Sequence, residues 1–311
     1  MPENAHTGAG RFAGVIAATL TPLDAEGAQV DVAAVEKLAV WLLERGVDGL
    51  FCGGTTGEGL LLAHDEWIRL TRATVEAADG RGFVIAHCGA LSTEAAVARA
   101  RAAHALGADA IAVLAPPFYP LDEEAILRHF TTVAQASELP FFVYQIPSHS
   151  GHDVPATTVA RLRTRIDTLS GVKDSSTSLD QLRAYLTLEG LTVLVGGDER
   201  MLAGLRFGAA GVVSGIASVF PEMVLDVAHA QRAGSNEQAE HAQARLTRAR
   251  HLLAQGPPLA AMKLAARARG LDVRESLRGP LRALDTDERD LLLAALNAER
   301  FLEPTTQRSQ A

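Results

Sequence analysis

Short apolar, β-branched runs alternate along the chain with longer stretches whose apolar residues recur every three or four positions. The short runs predict strands at Val15–Leu20, Gly49–Cys52, Phe83–His87, Ala110–Leu114, Pro140–Tyr144, Leu169–Lys173, Thr192–Val195 and Gly211–Ser214. The longer periodic stretches predict helices at Val32–Arg45, Asp65–Ala78, Thr93–Leu106, Asp122–Ala136 and Ser178–Leu188. Asp31, Ser92 and Asp122 stand where N-caps belong, and Gly46, Gly107 and Gly190 where C-caps belong. Strands that each precede a helix argue a parallel sheet. Eight of them argue closure into a (β/α)8 TIM barrel rather than a doubly wound open sheet, which usually has five or six strands and a switch point. Beyond Ser218 the strand signal stops, and Pro221–Ala233, Asn236–Gln255, Pro258–Arg269 and Thr286–Ala298 read as helices. The expected division is a flexible N-terminus over 1–11, a barrel over 12–220 and a C-terminal helical extension over 221–311. No Gly/Ser/Pro-rich spacer separates the last two.

Composition narrows the function classes. The 311 residues are 48% apolar and 21% charged, with a formal charge of −8. That is a globular balance, and without a basic face it excludes a phosphate-tracking nucleic-acid binder. No apolar run approaches a membrane span, and the opening Met1-Pro2-Glu3-Asn4-Ala5-His6 lacks the basic and apolar regions of a signal peptide. The two cysteines, Cys52 and Cys88, fit a reduced, cytoplasmic interior. Of 29 basic residues only Lys37, Lys173 and Lys263 are lysines, so each invites a question.

Lys173 ends the sixth strand. Alternation puts Leu169, Gly171 and Lys173 on the inward face, with Lys173 at the mouth where barrel active sites lie. Desolvation there disfavours the ammonium, and the free amine can attack a carbonyl carbon to form a Schiff base. The competing reading is a strand-end lysine paired with Asp174. By the same parity Phe142 and Tyr144 face inward, which sets a phenol beside the amine where it can move protons. Alone, Tyr144 would read as core filling. The loop Gly53-Gly54-Thr55-Thr56-Gly57-Glu58-Gly59 offers backbone N–H groups and hydroxyls to a small carboxylate. It lacks the Gly-Lys-Ser/Thr of a phosphate loop, and Glu58 is expected to bond the loop's own amides. Pro116-Pro117-Phe118-Tyr119-Pro120 reads as a packing loop. His149 and His152 lack a convincing third metal ligand, which leaves His149 as a solvated residue or a substrate hydrogen-bond donor, and His87, His104 and His129 are scattered.

Four motifs recur in one order: Gly54-Thr55-Thr56-Gly57-Glu58, Pro117-Phe118-Tyr119, Tyr144-Gln145-Ile146-Pro147 with Gly151, and Gly171-Val172-Lys173-Asp174. Together they resemble the pyruvate-dependent class I aldolase superfamily of dihydrodipicolinate synthase and N-acetylneuraminate lyase, from about Phe12 onward. The resemblance implies a barrel with C-terminal helices, a homotetramer built as a dimer of dimers, and no metal or organic cofactor. It makes Lys173 the Schiff-base lysine and Tyr144 the proton-transferring phenol. Thr55 would link Tyr144 to Tyr119 of a neighbouring subunit, Gly54 and Thr56 would hold the pyruvate carboxylate, and the Val213 carbonyl would face the Schiff base. The departures concern the second substrate. His149 stands where synthases carry an arginine that grips the aldehyde's carboxylate, and Gln145 where asparagine is usual. Gly196-Gly197-Asp198-Glu199 is similar to the segment with which neuraminate lyases bind sugar hydroxyls, although acids at a helix start are also common. Trp67, Leu91 and Phe118 replace polar residues of lysine-inhibited synthases, which argues against lysine feedback. The expectation is a lyase that cleaves, condenses or dehydrates a hydroxylated 2-oxo acid such as a 2-keto-3-deoxy sugar acid. The alternatives are a dihydrodipicolinate synthase using pyruvate and aspartate semialdehyde, and a non-catalytic 2-oxo-acid sensor.

Overall fold

The computed structural model describes residues 10–303, so most of the expected flexible segment lies outside the described residues. Eight parallel strands close on themselves in chain order: β1 Gly14–Ala18, β2 Gly49–Cys52, β3 Phe83–His87, β4 Ala110–Leu114, β5 Phe141–Gln145, β6 Leu169–Asp174, β7 Thr192–Val195 and β8 Gly211–Ser214. Closure is made where Gly14 to Ala17 of β1 pair with Gly211 to Ser214 of β8. Around the strands run α1 Val32–Glu44, α2 His64–Ala78, α3 Thr93–Ala105, α4 Glu123–Ala134, a single turn α5 Pro147–Ser150, α6 Ala156–Arg163, α7 Leu179–Leu186 and α8 Met201–Arg206. Four further helices follow: α9 Pro221–Arg232, α10 Asn236–Leu253, α11 Pro258–Ala268 and α12 Thr286–Ala298. The barrel with its helical extension is the expected fold.

The caps explain the helix starts. Asp31, Ser92 and Asp122 accept from the backbone N–H groups of Ala34, Ala95 and Ala125, satisfying donors that the first turn leaves free. Gly46 and Gly107 adopt left-handed backbone directly after the caps Arg45 and Leu106. Gly190 does not act as a cap, because α7 already ends at Thr187 and the glycine serves the turn into β7. Strand β1 stops at Ala18, two residues early, because the Leu20 N–H leaves the ladder for the Ser218 hydroxyl. The periodicity did not reveal α6 Ala156–Arg163 or α8 Met201–Arg206, and the latter's six residues are too short to show an amphipathic repeat.

Two apolar layers hold the barrel. The outer one lies between strands and helices, and an inner one is built from Phe12, Ile16, Phe51, Ile85, Ala112, Leu114, Phe142, Tyr144, Leu194, Val213 and their neighbours. Phe12 closes the bottom, edge-on to Phe83 and Phe142. Leu169 was expected inside but packs with the outer layer. The register explains it: Phe141 pairs with Leu169 and Phe142 with Gly171, so Ser170 is one extra residue that reverses parity below the bulge. Above it, Gly171 and Lys173 keep the inward face, and a Cβ on Gly171 would collide with the Phe142 ring.

Candidate active site

At the mouth, Tyr144 on β5 and Lys173 on β6 are register neighbours. Lys173 is 4% exposed, with its Nζ 3.7 Å from the Phe51 ring centroid and 3.9 Å from that of Tyr144. Gly54 is what lets Phe51 sit there, since a Cβ at Gly54 would come within 2.6 Å of that ring. No ion pair holds the Lys173 ammonium among the described residues, and Asp174, its partner in the competing reading, is turned away to Arg200 and the Ser176 N–H. Burial therefore pushes the Lys173 amine down to about 7, against an opposing pull from the Asp198 carboxylate. Near neutral pH a large fraction is the free nucleophile.

Burial pushes the Tyr144 phenol up, and hydrogen bonding from Thr55 and Ser175 opposes it. The phenol therefore holds its proton at neutral pH and can donate it. The Tyr144 Oη and Thr55 Oγ1 lie 3.3 Å apart. The His87 ring meets Tyr144 edge-to-face, at 5.4 Å between centroids, and its Nδ1 lies 3.0 Å from the Gly53 carbonyl oxygen. Burial drives His87 down to about 3, so it stands neutral beside the amine. Sequence reasoning passed over His87, Phe51 and Ser175. The strand alternation that placed Tyr144 could have found the first two, which are inward positions of β3 and β2.

The loop after β2 is folded on itself. The Gly54 carbonyl accepts from the N–H groups of Gly57 and Gly59, and Thr21 Oγ1 donates to the Gly57 carbonyl at 2.6 Å. Half-buried Thr56 fits against Gly215, where a Cβ would lie 3.1 Å from its hydroxyl. Glu58, in left-handed backbone at φ 56°, does not bond its own loop's amides as expected. Its carboxylate reaches Lys263 at 2.5 Å and accepts from the Arg278 N–H at 2.7 Å. That pairing escaped sequence reasoning because its members lie far apart along the chain.

The remaining candidates separate. Asp198 accepts a short hydrogen bond from the Ser214 hydroxyl and bears electrostatically on Lys173, and burial raises its carboxyl above the ordinary value. Glu199, its neighbour, is turned away to the surface, where its Oε1 lies 2.7 Å from His251 Nε2. Val213 occupies β8 with its side chain in the inner layer. His149 is exposed on α5, its Nδ1 2.9 Å from Ser148 Oγ. His152 Nε2 is 2.9 Å from the Tyr119 carbonyl oxygen. The Tyr119 ring is 68% exposed against Phe118 and makes no hydrogen bond to this chain's own Thr55 or Tyr144 among the described residues. Also among the described residues, no three His, Cys, Asp or Glu side chains converge as metal ligands, and no helix is long and apolar enough to cross a membrane.

An amine near neutrality, a protonated phenol, a hydroxyl relay and a turn rich in donors can carry imine formation at a carbonyl carbon. Comparison with known proteins agrees. The model of the dihydrodipicolinate synthetase family matches residues 11–299. An uncharacterized DapA-like lyase of Halobacterium salinarum is 40% identical over 284 residues, 91% of this chain and 92% of the relative. Among solved structures, YagE, a prophage protein of the dihydrodipicolinic acid synthase family from E. coli K12 in complex with pyruvate, superposes with TM-score 0.88 at 26% identity. That alignment covers 93% of this chain and 99% of YagE. The N-acetylneuraminate lyase of Proteus mirabilis gives 0.88 at 27% identity, over 94% and 99% of the two chains.

Proposed function

The chain belongs to the dihydrodipicolinate synthetase family and is a class I aldolase or lyase, and from that premise we propose that it acts on 2-keto-3-deoxy sugar acids through a Schiff base on Lys173. The observation that carries the proposal is the buried, unpaired amine held at about 7 between two aromatic rings. The Lys173 amine attacks C2 of the 2-oxo acid. Tyr144, through Thr55, supplies the proton with which the carbinolamine hydroxyl leaves as water. The iminium then draws electrons from C3, giving an enamine. In cleavage the C4 hydroxyl yields its proton to the Tyr144 phenolate as the C3–C4 bond breaks, releasing an aldehyde, and the enamine regains that proton at C3. In dehydration C3 loses a proton to the phenolate, which returns it to the C4 hydroxyl as that departs as water. In either case water then hydrolyses the imine, freeing the product and the Lys173 amine. Thr56 and the loop N–H groups hold the carboxylate, and Asp198 accepts from a substrate hydroxyl. No metal or organic cofactor takes part in this scheme.

The setting is cytoplasmic, and the active form is a homotetramer in which Tyr119 completes the relay of a second copy. Exposure of Phe118 and Tyr119 at the mouth supports that assembly. The intact Thr55–Tyr144 pair speaks against a sensor, which has no use for a proton relay. One observation favours the second reading, a dihydrodipicolinate synthase: Glu199 is spent on His251, so one carboxylate rather than two faces a sugar chain.

The test is borohydride trapping with a 2-oxo acid, followed by kcat/KM for a panel of 2-keto-3-deoxy acids against aspartate semialdehyde with pyruvate. The adduct should map to Lys173 and not to Lys37 or Lys263. An arginine–carboxylate contact absent at His149 is worth about 1.5–3 kcal/mol, roughly ten- to a hundredfold in specificity against the semialdehyde. His149→Arg should recover part of it. A wild type that prefers the semialdehyde, with no effect of Asp198→Ala, refutes the sugar-acid reading in favour of the synthase.

A further inference from the structure

The last lysine carries an inference of its own. Lys263, on α11, is fully buried, and its ammonium sits 2.5 Å from Glu58 Oε1 while donating to the Ser276 carbonyl at 2.7 Å. The other Glu58 oxygen accepts from the Arg278 N–H, and the Arg278 guanidinium reaches Glu66 on α2 at 2.5 Å. Ser276 donates in turn to the Asp24 carbonyl at 2.5 Å. The segment 276–278 is thereby pinned against the loops after β1 and β2, so closely that a Cβ at Gly27 would come within 2.8 Å of the Leu277 carbonyl oxygen. Glu58 ends the Thr55-Thr56-Gly57 turn in left-handed backbone, a conformation that costs a non-glycine residue energy unless its surroundings enforce it. The carboxylate that ends this turn is the one paired with the buried lysine. Met262, beside it, reaches the same Gly215 pocket as Thr56.

We infer that Lys263 is a positioning residue: through Glu58 it holds Thr55 and Thr56 in the geometry that binds the 2-oxo acid's carboxylate and serves Tyr144. The binding part of this inference rests on the Schiff-base reading above; the loop-holding part does not. A buried pair of this kind is damaging to break from one side, because the partner is left as an uncompensated buried charge.

The experiment compares full-length wild type, Lys263→Met, Glu58→Gln and the double variant, with Lys37→Met as a surface control. Two quantities are read: the 2-oxo-acid concentration for half-maximal borohydride adduct at Lys173, and hydrogen-exchange protection of the amides over 54–59. In Lys263→Met the half-saturating concentration should rise by roughly tenfold or more and the protection should fall, Glu58→Gln should do likewise, and the double variant should lie within about threefold of the worse single variant, because both substitutions cut the same link. Loss of thermal stability with both readouts unchanged in the folded protein overturns the inference. A double variant whose two losses multiply also overturns it, because the two residues would then act independently. If Lys263→Met does not fold, Glu58→Gln, which removes the charge and keeps the shape, is read in the same way. If wild type forms no adduct, the Schiff-base reading has failed, and the exchange readout still decides whether Lys263 holds the loop.

Discussion

A nucleophilic amine kept free at neutral pH must cost the fold something, and Lys173→Met exposes that cost. The ordinary lysine value of 10.5 falls to about 7 here, chiefly through desolvation. At about 1.4 kcal/mol per pH unit, the gap amounts to roughly 4 kcal/mol of destabilisation at neutral pH. Methionine keeps an unbranched stem of similar volume and removes the charge. The variant should therefore be inactive and more stable than wild type by roughly 4 kcal/mol near neutrality.

The pH dependence separates this from ordinary repacking. Between about 7 and 10.5 the unfolded chain holds the Lys173 proton and the folded protein has released it. Unfolding then takes up a proton, so wild type gains stability as pH rises through that window, by up to about 1.4 kcal/mol per unit. Lys173→Met has no such group, and its advantage should shrink by about 2 kcal/mol from pH ~7 to pH ~9. Urea midpoints of both proteins at matched concentration across that range give the difference directly, with every other titration cancelling. A variant less stable than wild type at neutrality, or an advantage that does not change with pH, refutes the desolvated-amine argument.

Two further outcomes follow from the same geometry. Tyr144→Phe deletes one hydroxyl from a packed ring, so the thermal midpoint should hardly move while kcat falls by roughly two to four orders of magnitude; unchanged turnover would leave Tyr144 as core filling. The rate of adduct formation should climb with pH through about 7 and then level, because the free amine reacts, and Asp198→Asn should move that climb to lower pH by removing the carboxylate that favours the ammonium. An unmoved climb would show that Asp198 does not bear on the amine.

The barrel was legible because each strand is a compact apolar run, and alternation within it fixes which side chains turn inward. That rule placed Phe142, Tyr144 and Lys173 together before any coordinates. It failed at Leu169, where a one-residue bulge reverses parity, since nothing in Leu-Ser-Gly marks a bulge. Asp198 and Glu199 looked equivalent as neighbours in the chain, yet the short helical turn at 198–200 sends one to Ser214 and the other to His251 on α10. No local pattern encodes a partner so far along the chain. Glu58 was misread for the same reason: its loop sequence says turn, and its partners stand on the C-terminal segment.

The three lysines show how the surroundings, not the residue type, assign a role. Lys37 and Asp272 form an exposed pair at 2.6 Å, which water and salt reduce to little. Lys263 and Lys173 are both buried, and both amines are pushed down by it. Lys263 has a carboxylate at 2.5 Å and a carbonyl at 2.7 Å, so its charge is matched and its proton is engaged. Among the described residues Lys173 has ring faces and a carboxylate already bonded to Ser214, so its charge is the part the site supports least. An arginine could serve at an exposed pair such as that of Lys37, as it does at most basic positions of this chain. At Lys173 it could not, because a guanidinium does not surrender its proton in a protein and offers no free amine to a carbonyl. In a chain that writes most of its positive charges as arginine, the lysine that must lose its proton is the one the chemistry cannot exchange.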